Sequence, residues 1–109
     1  MFLIVSQYLI PKKYRGFAFY PFIIIKYKSD KENLVLINHE KIHLRQQIEL
    51  LIFPFIVWYC IEFIVRLSQY KNLNLAYRNI SFEREAYANE KKFDYLKKRH
   101  FFSFLSYLS

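Results

Sequence analysis

Glycine occurs once in these 109 residues, cysteine once and proline three times. So little Gly and Pro, beside 54% hydrophobic and 21% aromatic residues, excludes a disordered or low-complexity chain. The length suits a single domain spanning 1–109, with no room for a second core. A lone cysteine, Cys60, rules out an internal disulfide and any cysteine-based zinc knuckle. Because it sits in an apolar run, it is expected to be a buried structural thiol. Acids are also scarce: nine against 17 Lys and Arg leave a net charge of +8. That excess suits an anionic membrane surface or nucleic acid, although Lys, Asn, Ile, Phe and Tyr share AT-rich codons and part of the bias follows from them. The basic residues are scattered rather than striped, and no nucleic-acid-binding motif appears, so no such partner is expected. The opening "MFLIVSQYLIPKK" lacks a leading positive charge and a small-residue cleavage pattern, so no signal peptide is expected.

What is present reads as an α+β chain, mostly helical. Residues 2–10 and 17–27, rich in Phe, Ile, Val and Tyr, predict two short strands within 1–28, paired as a hairpin, with Pro11 and Gly16 bracketing their link. Pro21 interrupts the second and marks an edge or a bulge. "SDKE" fits a capping box with Ser29 as N-cap and Glu32 three residues on, opening a helix over 29–52. Its core-facing stripe is expected to be Ile37, Leu44, Ile48 and Leu51. Pro54 ends that helix or opens the next, which covers 54–70 and is the greasiest stretch, with Glu62 and Arg66 four apart and able to pair. "KNLN" breaks the chain before a third helix over 75–98. An aromatic tail, 99–109, follows, to dock on the core or lie on a membrane.

The chemistry concentrates in "INHEKIHLRQQIELL". His39 and His43 are four apart, so on a helix both imidazoles leave one face a turn apart, as two ligands of one zinc ion require. Glu40, about 100° around the helix, reaches a metal-bound water without ligating the metal. A catalytic zinc takes a third protein ligand. The remaining histidine, His100, is far away in sequence, which leaves a carboxylate on another helix. "SFEREAYANE" offers Glu83, Tyr87 and Glu90 on one face, with Ala86 beside them; Glu85 and Glu90 are rival ligands on the same helix, Glu85 pointing elsewhere if Ala86 faces the histidine helix.

With these residues the chain resembles the gluzincins, zinc metallopeptidases whose third ligand is a glutamate on a later helix, often in an E-x-x-A-D motif. It also looks like a group of small bacterial proteins sharing "NHEKIHLRQQ" and "FEREAY". The resemblance covers about Leu34 to Asp94. It implies His39, His43 and Glu83 as zinc ligands and Glu40 as general base. Ala86 matches the small residue that lets two helices approach. The family's last motif position, an aspartate that orients the first histidine, is Tyr87 here. Tyr77, Arg78 and His100 are candidates for stabilising an oxyanion.

Leu50 to Leu67 is 18 residues, enough to reach about 27 Å across a bilayer core. A single crossing would separate His43 from Glu83, so a zinc site built within one chain disfavours it. A hairpin with 54–70 packed on the first helix is expected instead. Trp58, Tyr59, Phe63, the Phe-rich tail and Lys97, Lys98 and Arg99 would serve a monotopic lipid contact; a plain buried core helix is the other reading. The expected protein is a zinc-dependent peptidase acting on a peptide or protein substrate, cytoplasmic or peripheral on the cytoplasmic membrane. The alternative is a non-catalytic membrane-associated helical protein whose zinc site is decayed, structural or absent.

Overall fold

The computed structural model describes residues 2–10 and 14–108; Pro11, one bracket of the predicted link, lies outside them. The fold is α+β and mostly helical, with a small N-terminal sheet and, among the described residues, five helices after it. The two predicted strand regions yield three strands: β1 (Phe2–Val5), β2 (Gly16–Phe19) and β3 (Phe22–Ile25), in the order β1-β3-β2. The hairpin lies inside the second region, where β2 and β3 are antiparallel, while β1 runs parallel to β3. Pro21 lies in the turn between β2 and β3, not within a strand, because a residue without an N–H cannot serve a central ladder. Alternation along β3 buries Ile23 and Ile25 completely and leaves Phe22 outward.

Helix α1 (Leu34–Leu50) packs Leu44, Leu36 and Ile37 on that buried face of the sheet. It begins later than the capping box suggested. Lys28–Glu32 is a short 3₁₀ turn, held by Asp30, which accepts from Arg15. The true N-cap is Asn33, whose side chain accepts the Leu36 N–H at 3.1 Å. The expected apolar stripe is half right. Leu44 is buried and Ile37 half-buried, but Ile48 is 48% exposed and Leu51 70%. The face that turns inward is mainly polar: Asn38, His39, Glu40, His43, Gln46 and Gln47. A helix buries such a face only when other elements supply partners for it.

Leu51, at φ 65°, breaks the chain, and α2 (Ile52–Tyr70) starts at once with Pro54 in its first turn, where an N–H would lack an intrahelical partner anyway. Lys71, at φ 53°, closes it. Within α2 only Phe55 and Glu62 are buried, so it is not an enclosed core helix, and Cys60 is exposed instead of buried. Phe55 joins Ile80, Phe82 and Phe104 in a second core, flanked by Trp58, Tyr59 and Phe63. Phe104 thus docks the tail on the protein.

The predicted third helix is three pieces: α3 (Leu73–Arg78), α4 (Ser81–Asn89) and α5 (Tyr95–Lys98). Side chains from the other helices set the ends of α4. Glu62 of α2 accepts the Ser81 N–H at 2.8 Å and also the Ser81 hydroxyl, acting as an N-cap supplied from elsewhere in the fold. It is therefore not the partner of Arg66, which reaches the Leu108 carbonyl and Gln69. At the other end, Asn38 Nδ2 of α1 lies 2.8 to 3.2 Å from the carbonyls of Asn89, Glu90 and Lys92. The nine-residue α4 is clamped at both ends.

Candidate metal centre

The clamp on α4 delivers Glu83 to the face of α1 that carries the histidines. Glu83 Oε1 lies 3.2 Å from His39 Nε2 and 3.0 Å from His43 Nε2, and all three residues are buried. The candidate ligand atoms all fall within 4.8 Å of one another. Ligands about 2.0–2.1 Å from a tetrahedral ion sit about 3.3 Å apart. The two Glu83–imidazole separations are close to that edge, so the group could hold a metal ion.

The donor chemistry agrees. Gln46 spends its NH₂ on the Phe82 carbonyl and on Glu85 Oε1. Its carbonyl oxygen therefore faces His43 Nδ1 at 2.8 Å and accepts from it, which leaves the Nε2 lone pair for a metal. Tyr59 donates to Glu83 Oε2 at 2.7 Å, occupying that oxygen and presenting Oε1 to the imidazoles. Glu83 and the two imidazoles pair directly. Burial pulls the His43 pKa down, but the charge and hydrogen bond of Glu83 outweigh it and hold the imidazole up at about 9. Burial likewise pushes Glu83 up, and His43 and His39 override it to leave the carboxyl well below the usual range.

Glu40 lines the cavity beside His43 and Glu83. Burial raises its pKa, and the two imidazoles only partly offset that. The chain's one glycine stands over this carboxylate: a Cβ on Gly16 would meet Glu40 Oε2 at 3.0 Å. The cavity, of about 540 Å³, lies between β2 and α2. The outer edge of β2 is partly taken: Gln47 accepts the Tyr20 N–H at 2.7 Å and donates to the Ala18 carbonyl at 2.8 Å.

Tyr87 does sit beside His39, but by its ring edge, with centroids 4.5 Å apart, while its hydroxyl meets that of Tyr77 at 3.2 Å. Arg78 covers the Tyr87 ring, its guanidinium carbon 3.9 Å from the centroid. The carboxylate nearest the other nitrogen of His39 is Glu90, whose Oε2 is 3.7 Å from Nδ1. Of the three oxyanion candidates, Tyr77 lines the cavity, whereas Arg78 stacks on Tyr87 and His100 is exposed. Glu85 is no rival ligand. It is fully buried and bound to Arg99, Tyr95 and Gln46.

Sequence reasoning missed Gln46, Tyr59 and Gly16. Gln46 carried one signal, its place three residues after His43 on the same helix. Tyr59 carried none, since its partner lies on another element. No family model, curated protein or solved structure matches this chain.

Proposed function

We propose that this chain is a minimal zinc-dependent metallopeptidase of the gluzincin type. The observation that carries the reading is the convergence of Glu83 Oε1 on the two Nε2 atoms within 3.2 Å. Two imidazoles and one carboxylate are the donor set of open catalytic zinc sites, in which water takes the fourth place. When bound, zinc supplies an acidified water and a Lewis acid toward a carbonyl oxygen. The remaining work belongs to the chain. His39, His43 and Glu83 hold the ion, and Gln46 and Tyr59 orient two of these ligands. Glu40, raised by burial, is suited to take a proton on its carboxylate and return it to a leaving amine. The Tyr77 hydroxyl, on the cavity wall, is the candidate donor to a developing oxyanion. An extended peptide enters between β2 and α2. Because Gln47 holds part of the strand edge, pairing with β2 is confined to the segment nearer Gly16.

The test is metal content and hydrolysis measured together on purified protein. One zinc per chain is expected, lost in His39→Ala and in Glu83→Ala. Glu40→Gln should keep the zinc and lose cleavage of an unfolded protein substrate. Zinc retained in full by Glu83→Ala would defeat the ligand assignment. Cleavage undiminished in Glu40→Gln would defeat the mechanism.

A further inference from the structure

Along α2 the charges turn inward and an apolar face turns outward. At about 100° per residue, Phe53, Ile56, Val57, Ile61, Ile64 and Val65 fall within roughly half the circumference. All six are exposed, Phe53 by 75% and Ile64 by 66%. The helix has two charged side chains, Glu62 and Arg66, and both are engaged on the protein side, with Ser81 and with the Leu108 carbonyl. A helix that faces water places charge outward and apolar surface inward. Among the described residues α2 is the one helix long and apolar enough to cross a membrane: 19 residues, mean hydropathy 1.4, with 11% of that stretch buried.

Accessible charge is nearly all of one sign. Five of the nine acids, Asp30, Glu40, Glu62, Glu83 and Glu85, are buried, and the Glu49 side chain is sealed against Arg99. Glu32 and Asp94 are the exposed ones, and Asp94 is paired with Lys98 at 2.9 Å. Lys28, Lys31, Lys71, Lys91, Lys92 and Lys97 are all exposed. A broad apolar face on a body whose exposed charge is cationic complements an anionic lipid surface. An upright crossing does not fit, because α1 and α3 pack along the other side of α2 and would carry attached cations into hydrocarbon.

We propose that the outward face of α2 docks on an anionic bilayer, with the helix in the membrane plane and that face in the acyl boundary. Ile56 and Cys60 of α2 also line the cavity above the metal group, opposite the exposed Phe17 and Phe19 of β2. The mouth of the cavity then meets the bilayer surface, and a peptide reaches it from the interface. That last consequence rests on the peptidase reading; the docking does not.

Cys60, the chain's one thiol, is a built-in probe. The full chain is labelled there with an environment-sensitive dye and mixed with vesicles of phosphatidylcholine and phosphatidylglycerol. The expected result is a blue shift, quenching by nitroxide-bearing acyl chains, and flotation with the vesicles that weakens with salt. Ile61→Asp and Ile64→Asp, both at exposed positions, should each cut vesicle binding by about tenfold or more with an unchanged melting curve in buffer. The proposal is overturned if the dye stays water-like and the protein stays at the bottom of the gradient. It is equally overturned if the dye is already shielded without lipid because two copies pair through this face. Equal binding to neutral vesicles would remove the role given to charge. These readings need no metal, so they can fail while zinc binding and hydrolysis stand, or the reverse.

Discussion

Gln46 shows how much a single buried side chain can decide. It fixes the tautomer of His43 and ties it, through Glu85, to the rest of the protein. Replacing it with Leu removes the acceptor at Nδ1, and zinc affinity is expected to fall about 10- to 100-fold, as measured by chelator competition. The protonation of His43 gives a second expectation. Its pKa in the metal-free fold, about 9, lies above the ordinary 6.5. The imidazolium–Glu83 pair therefore contributes its full stability below the ordinary histidine range and loses it as pH rises through about 9. Metal-free protein should become easier to unfold in urea across that window, with the zinc-loaded form flat over the same range. Zinc uptake at pH 7 should release a proton, seen as a buffer-dependent heat of binding that shrinks above pH 9. A heat independent of the buffer would contradict the assignment. The histidines and Glu40 were legible from their spacing, because the α-helical repeat alone puts i and i+4 on one face. Gly16 was not, since its reason is the nearness of a carboxylate from another element.

At the level of elements, α4 matters most, and its placement is borrowed. It has nine residues, too few to be stable alone, and its ends depend on Glu62 and Asn38 from neighbouring helices. Glu62→Ala removes an N-cap and is expected to cost about 0.5–2 kcal/mol of stability. Asn38→Ala leaves buried carbonyls short of a donor and is expected to cost about 1–3 kcal/mol. Both should also weaken zinc binding although neither touches the candidate ligands, because Glu83 rides on this helix. Urea unfolding and zinc titration of the same variants check this; a destabilised variant with unaltered zinc affinity would show that Glu83 is positioned independently of the caps. The split of the predicted third helix follows from this borrowing. "NISFEREAYANE" has helical pattern throughout, and nothing local announces that a carboxylate from α2 will arrive at Ser81.

For the whole molecule, the long-range tie is Arg99, whose side chain is fully buried between Glu49 of α1 and Glu85 of α4. It also takes Arg99 out of the lipid contact expected for Lys97, Lys98 and Arg99: the two lysines are exposed, and Arg99 points inward. Arg99→Met strands two carboxylates in the interior, one of them also held by Tyr95 and Gln46. The expected cost is about 3–5 kcal/mol, a large share of the roughly 5–15 kcal/mol that holds a domain of this kind together. Soluble yield and the urea midpoint should both drop sharply. A variant as stable as the parent would make this buried network dispensable.

By itself the sequence determined the class of the fold, the helix that carries the histidine pair, the break at Leu51–Pro54 and the residue types available to a metal, because each depends on local periodicity and backbone preference. Tertiary structure alone decided which faces turn inward. Apolar residues usually claim the interior, yet α1 buries polar side chains that find partners on β2 and α4, and α2 leaves one apolar face outside while its aromatic face packs on the second core. Hydrogen-bond satisfaction of a polar face is a property of several elements at once, and no single stretch of chain encodes it.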